Sequence, residues 1–130
     1  MPVRSLNSCM LKWPDKQTVD AAIRVWARQL AAQRHEVVRV GYAGSYARGD
    51  WGVGSDLDIV IVLEQSDKPF EQRAVEFDAT RLPVPADLLV YTEAELHQLI
   101  GSGSRFGRVL ENETVWVFDR AQTASARGIN

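Results

Sequence analysis

The feature that most constrains this chain is a polar, glycine-rich stretch, residues 44–58, that lies between two apolar runs. Residues 37–43 and 59–63 are rich in β-branched side chains and short, which favours strands over helices. The sequence therefore predicts a strand, a long polar loop and a second strand. Because glycine accepts positive φ and lets the backbone come close to a ligand, we interpret the loop as a binding site.

Two parts of this loop suit phosphate and metal ions. Ser45, which follows Gly44, can cap a short helical turn whose free N–H groups would bind a phosphate. Asp56 and Asp58 stand two positions apart at the predicted start of a strand, so their carboxylates share one face, about 6.6 Å apart along the strand. Like charges on one face repel unless a cation joins them, and hard divalent cations prefer oxygen ligands. This combination predicts a nucleotide site with two metal ions.

These residues also carry a family resemblance. Gly44-Ser45, ten residues and then Asp56-Leu57-Asp58 resembles the G-S-x10-D-x-D signature of the DNA polymerase beta-like nucleotidyltransferase superfamily. The fuller run G-S-Y-A-R-G at 44–49 is similar to the minimal nucleotidyltransferases of bacteria and archaea. The resemblance covers residues 37–91 and implies an α/β (α+β) core, a mixed sheet of about four strands with helices packed on it.

The resemblance also implies the nucleotide site. Gly44 and Ser45 would hold the β- and γ-phosphates through their amides and the serine hydroxyl, and Arg48 would offset the phosphate charge. Ser55, just before the first aspartate of the signature, completes the implied nucleotide-binding set. The implied donor is ATP and the implied cofactors are two Mg²⁺ ions. The ligand types do not distinguish Mg²⁺ from Mn²⁺.

A third carboxylate stands in a later apolar run. Asp87 lies near the start of residues 86–91, which predict a strand. An aspartate there is costly to bury unless it is paired or metal-bound, although an edge position in solvent is the alternative. In the family that the loop resembles, an acidic residue on a later strand completes the metal triad. The resemblance therefore implies that Asp56, Asp58 and Asp87 bind the metals and are catalytic, with Asp58 and Asp87 sharing the role of base.

The remaining pattern predicts helices on both faces of the sheet. Residues 59–63 are continuously apolar, which indicates a central strand buried on both sides. Thr92 to Glu95 has the sequence of a capping box, and residues 114–118 predict a last strand. Apolar side chains at helical spacing predict helices over residues 18–34, from 70 to an end imposed by Pro83, over 93–100 and over 105–111.

Composition limits the class of protein. The chain has 130 residues, 45% hydrophobic and 25% charged, which is typical of one globular domain. We assign residues 17–119 to it, with a lead-in over 1–16 and a flexible tail over 120–130. A net charge of -2 argues against strong nucleic-acid binding. A single cysteine, no signal peptide and no membrane-spanning run predict a cytoplasmic protein.

The acceptor is the least constrained part of the hypothesis. We expect it to be bound by a second copy, a partner chain or the open face of the sheet, since the domain has no room for the acceptor-binding domain of larger relatives. Minimal nucleotidyltransferases similar to this chain often pair with a small helical HEPN protein, and some act as antitoxins by transferring AMP to its tyrosine. The alternatives are a small-molecule acceptor, such as an aminoglycoside-like antibiotic, and a non-catalytic docking module that uses Trp51 and Val53.

Overall fold

The computed structural model describes residues 14–122. Most of the predicted lead-in and tail lies outside this range. The helices are α1 (Lys16–Gln33), α2 (Ser45–Arg48), α3 (Phe70–Arg73), α4 (Glu93–Gly101) and α5 (Arg105–Glu113), and a 3-10 turn (Ala74–Glu76) follows α3. The strands are β1 (Val37–Ala43), β2 (Leu57–Leu63), β3 (Ala86–Thr92) and β4 (Val115–Asp119).

The four strands form one mixed sheet in the order β3-β2-β1-β4. β2 pairs with β3 in parallel, whereas β1 pairs antiparallel with both β2 and β4. The crossover from β2 to its parallel neighbour runs through α3 and the segment that follows it. The predicted α+β class with a mixed sheet of four strands is confirmed, and β3 and β4 are the edges of the sheet.

Apolar side chains of β2 are buried on both faces of the sheet, as its sequence predicts. On one face, Ile59 and Ile61 pack with Ile23 of α1. On the other face, Val60 and Val62 pack with residues of α4 and α5. Among residues 14–122, no helix combines the length and the apolar character that crossing a membrane requires.

The helix predicted to run from Phe70 toward Pro83 is much shorter than expected. α3 ends at Arg73, the 3-10 turn ends at Glu76, and Phe77 already has an extended backbone, with φ -117° and ψ 134°. The physical reason is packing. Phe77, Leu82 and Val84 are all buried in the core on the α1 side, and a connector that lies across this face buries the three side chains where a helix with one apolar stripe would not.

A buried arginine fixes this connector to the edge of the sheet. The Arg73 side chain is 6% exposed and donates to the carbonyl oxygen of Val90 in β3 at 3.1 Å. Its guanidinium also pairs with both carboxylate oxygens of Glu95, at 2.5 and 3.0 Å. Glu95 in turn accepts from the Thr92 N–H at 2.9 Å, which completes the predicted capping box of α4. One carboxylate therefore joins α3, β3 and α4.

Glu95→Ala is expected to lower the free energy of unfolding by about 2–4 kcal/mol, because it removes half of the capping box and leaves the buried Arg73 without its counter-ion. Glu93→Ala, an exposed position in the same first turn, is the matched control. Urea denaturation at neutral pH measures the difference.

The effect of Glu95 should also depend on pH. Hydrogen bonding to Arg73 lowers the pKa of Glu95 to about 2 from 4.5. A carboxylate with a lowered folded-state pKa stabilises above its unfolded pKa and loses that contribution as pH falls through the folded one. The difference between wild type and Glu95→Ala should therefore shrink between pH 4.5 and about 2. A difference independent of pH would contradict this account.

Candidate functional site

The sheet brings two of the predicted carboxylates together. Asp58 is the second residue of β2 and Asp87 the second residue of β3, and the two are direct partners across the parallel pair. Neighbouring strands lie about 4.8 Å apart, and directly paired residues project from the same face. By the alternation of β2, that face is the one that carries Val60 and Val62. Two residues 29 positions apart therefore form one acidic pair, called the Asp58/Asp87 pair below.

The structure corrects the reason given for Asp87. The cost of burying a lone aspartate was one ground for selecting it, with an exposed edge position as the alternative, and the structure shows that alternative, since Asp87 is exposed on an edge strand. Its register opposite Asp58 is what places it at the site. Asp56 is also exposed and lies one residue before β2 begins. Over residues 14–122, no group of three acidic, histidine or cysteine side chains is already gathered as a metal site.

These carboxylates carry like charges that repel one another. Partial burial raises the pKa of Asp58 above its usual range, and the charges of Asp87 and Asp56 raise that pKa further. Arg48 acts in the opposite direction on the same carboxyl. An all-oxygen donor set with unbalanced negative charge fits a hard divalent cation, which would remove the repulsion. The acidic residues present therefore suit the metal ions that the sequence predicts.

Asp58→Asn is expected to raise the Tm of the metal-free protein by a few degrees at neutral pH. A carboxyl with a raised folded-state pKa costs stability when it is ionised, so the gain should disappear below about pH 3.8, where the carboxyl is protonated in both states. Thermal denaturation across this pH range measures the effect. Added Mg²⁺ should stabilise wild type more than the variant, and an unchanged Tm at neutral pH would contradict the electrostatic argument.

Gly44 lies directly against the Asp58 carboxylate. Its backbone has φ 84° and ψ -153°, a region that is essentially restricted to glycine. A Cβ at this position would lie 2.5 Å from Asp58 Oδ2. Both the backbone conformation and the lack of space therefore require glycine, and the chain passes the carboxylate closer than any other residue type would allow.

A short helix follows at once, with one difference from the prediction. Gly44 is the N-cap of α2 and makes no side-chain capping bond, so Ser45 is the first helical residue and not the cap. The helix ends at Gly49, which adopts the left-handed conformation and donates its N–H to the Ser45 carbonyl at 2.9 Å. The backbone N–H groups of the first turn of α2 begin beside Asp58, as a phosphate site next to the carboxylates would require.

The remainder of the loop is held by its own contacts. Ser55 Oγ accepts from the Gly52 N–H at 2.8 Å, and the Ser55 N–H donates to the Gly52 carbonyl at 3.0 Å. Trp51 stacks on the buried ring of Tyr46, with centroids 5.5 Å apart and planes 5° apart. Ser55 therefore closes a turn in the loop. Of the two residues considered for docking, Trp51 packs on the loop and Val53 is 75% exposed.

Arg48, the last residue of α2, is half-exposed and already engaged by two acids. Its Nε lies 3.2 Å from Asp50 Oδ2 and its Nη1 lies 3.7 Å from Glu113 Oε1. Glu113 ends α5 and was not predicted as a site residue. No local motif marks it, because only the packing of α5 against β1 brings it to the loop.

A groove of about 1050 Å³ opens beside the Asp58/Asp87 pair along the edge strand β3. Asp58 and Asp87 are its only charged lining residues within the described range. Its walls are mostly apolar and include Val75, Leu82, Pro83, Pro85 and Leu88. A molecule that reaches the acidic pair through this groove would contact apolar surface on the way.

Comparisons with known proteins agree with this fold. A solved structure of a candidate nucleotidyltransferase from Sulfolobus solfataricus matches with a TM-score of 0.59 and 21% identity, over 82% of this chain and 85% of the other. At that identity the likeness establishes the fold. Comparison with curated protein sequences finds no significant match. The family model described as "Nucleotidyltransferase domain" matches residues 26–117, which include β1 to β3 and the whole glycine-rich loop, and this chain belongs to that family.

Proposed function

We propose that this protein is a metal-dependent enzyme that transfers AMP from ATP to a hydroxyl group, with Asp56, Asp58 and Asp87 as its acidic residues. One observation carries the proposal: Asp58 and Asp87 are paired in register across β2 and β3, and Gly44 lies against Asp58. This arrangement places the start of α2 and the carboxylates side by side. Membership of the nucleotidyltransferase family supports nucleotidyl transfer as the reaction class.

Each group has a distinct role in this proposal. The amides of Gly44 and Ser45 hold the β- and γ-phosphates, and Arg48 donates to the same phosphates, so that the leaving pyrophosphate is bound. The acceptor hydroxyl attacks the α-phosphorus in line, the bond to the β-phosphate oxygen breaks, and the hydroxyl proton passes to the Asp58/Asp87 pair. Ser55 acts through the shape of the loop, since its hydroxyl closes the turn with Gly52.

The proposed cofactors are two Mg²⁺ ions, with Mn²⁺ as a substitute. The three carboxylates would hold them, and they would supply charge neutralisation on the triphosphate and a lower pKa for the acceptor hydroxyl. The raised pKa of Asp58, which comes from partial burial and then from the charges of Asp87 and Asp56, supports this part of the proposal, because a bound cation would stabilise the charged form of these carboxylates.

The proposed acceptor is a tyrosine of a small helical HEPN partner, which the protein would neutralise as an antitoxin. The groove beside the acidic pair supports an aromatic hydroxyl. Its lining offers apolar side chains that a phenol ring can pack against, and its charged residues, among those that the structure describes, are the Asp58/Asp87 pair. A polycationic aminoglycoside would be expected to need acidic walls along its length, and Asp58 and Asp87 are the acids that the described lining provides.

The experiment that identifies the acceptor uses α-labelled ATP, Mg²⁺ and a lysate of the cells that make this protein. We expect label on one small protein, absent when Asp56→Ala and Asp58→Ala are combined, and tyrosine as the modified residue by mass spectrometry. Label on a small molecule would mean that the acceptor is not a protein, while nucleotidyl transfer would stand as the reaction. No label on any species, with partner binding intact in the double variant, would favour the docking module.

A further inference from the structure

Arg48 is held by two carboxylates that differ in their access to water. Asp50 follows two residues later in the loop, and its side chain is 63% exposed. Glu113 comes from the end of α5, and its side chain is 36% exposed, but the Oε1 atom that faces Arg48 is buried and makes no hydrogen bond with the described residues. The guanidinium of Arg48, 3.7 Å away, is the ion-pair partner of this buried oxygen. The two acids are therefore unequal competitors for one cation.

The position of Glu113 is fixed by the packing of the next residue. Thr114 joins α5 to β4, and its methyl group lies so close to Gly41 of β1 that a Cβ on this glycine would come within 2.8 Å of it. The neighbouring Trp116 ring is equally close to that point. The backbone that follows Glu113 is therefore packed tightly against Gly41 of β1, which lies three residues before the glycine-rich loop. This contact fixes the backbone from which the Glu113 side chain projects.

Exchange of partners at Arg48 follows from this inequality. Separating the guanidinium from Asp50 releases a carboxylate that water already solvates, so it costs little. Separating it from Glu113 would leave the buried Oε1 atom with neither a cation nor water beside it, which costs more. A guanidinium has five N–H donors in a rigid fork and can bind two anions at once through different nitrogens. Glu113 is thus suited to hold Arg48 while another anion binds.

We propose that Glu113 is a positioning residue for Arg48, and that a triphosphate replaces Asp50 but not Glu113 on the guanidinium. When no nucleotide is bound, the Asp50 carboxylate takes the place on the Arg48 guanidinium that a phosphate would occupy. The inference rests on the proposed function, because it assigns the displacing anion to the nucleotide. It predicts opposite effects of Glu113→Gln and Asp50→Asn on the affinity for nucleotide, although each substitution neutralises an acid that is paired with the same arginine.

The test is calorimetric titration of wild type, Glu113→Gln and Asp50→Asn with ATP and Mg²⁺. We expect the Kd for ATP to rise about fivefold in Glu113→Gln, where Arg48 loses its anchor, and to fall about twofold in Asp50→Asn, where the competitor is gone. A merely structural role would change both variants in the same direction. Thermal denaturation verifies that each variant is folded.

A double variant separates positioning from general damage. In an Arg48→Ala background, Glu113→Gln should change the Kd by less than about 1.5-fold, because a residue that acts through Arg48 has nothing left to position. Full additivity, or equal changes in the two single variants, would overturn the inference and leave the proposed function intact. If wild type binds none of the four nucleoside triphosphates with Mg²⁺, the proposed function falls and this inference falls with it.

Discussion

Asp58→Asn is expected to reduce nucleotidyl transfer by at least about 100-fold while making the metal-free protein more stable to heat. Loss of a residue that merely supports a metal ligand already costs 10–100-fold, and Asp58 is a proposed ligand and base. The substitution keeps the size of the side chain and removes the charge that Asp87 and Asp56 oppose. Activity and stability should therefore change in opposite directions.

The matched control is Asp67→Asn. Asp67 is an exposed aspartate in the turn after the far end of β2, and the same chemical change there should leave both transfer and Tm unchanged. Initial rates of label transfer and thermal scans of both variants complete the comparison. If Asp58→Asn retained more than a tenth of wild-type activity, the Asp58/Asp87 pair would not be the reacting centre.

Gly44→Ala is expected to abolish transfer by a different route. The added methyl group would lie 2.5 Å from Asp58 Oδ2, and φ 84° with ψ -153° is strained for alanine. The strain should lower the free energy of unfolding by about 1–3 kcal/mol. Relief of the clash must shift either the carboxylate or the start of α2, and a displacement of about 1 Å at a reacting centre can cost 100-fold in rate.

Gly52→Ala provides the control for this variant. Gly52 lies in the same loop, has no positive φ, and a Cβ there would meet nothing within 4 Å. It should therefore retain wild-type stability and transfer. Equal losses of stability and transfer in Gly44→Ala and Gly52→Ala would mean that the loop is sensitive at both positions. The contact between residue 44 and Asp58 would then not explain the effect of Gly44→Ala.

The sheet was predictable from sequence because its strands carry local signals. β1 was predicted with its observed bounds, and β2 and β3 were predicted to within two residues, since each is a short apolar run bounded by polar residues, glycine or proline. The capping box of α4 is equally local, because Thr92 and Glu95 contact each other within one turn. Where a few neighbouring residues decide the structure, the sequence pattern sufficed.

The parts that sequence reasoning missed depend on distant contacts. α3 is short because the connector after it packs into the core on the α1 side, and Arg73 fixes that connector to Glu95 and the carbonyl of Val90, both of which lie on later elements. Asp87 was selected from the cost of burial together with the family resemblance, and the first of these grounds does not hold, since the edge position of β3 is a property of the whole sheet. Glu113 carries no motif and reaches Arg48 through the packing of α5 alone. None of these features has a signal within its own segment.

The measurement that tests the central claim most directly compares α-labelled with γ-labelled ATP in the same reaction of wild-type protein, Mg²⁺ and acceptor. Nucleotidyl transfer attaches the α-phosphate to the acceptor and releases the γ-phosphate within pyrophosphate, so the account predicts acceptor labelled from the α position alone. Acceptor labelled from the γ position would show phosphoryl transfer. That result would contradict the roles proposed here for Gly44, Arg48 and the Asp58/Asp87 pair.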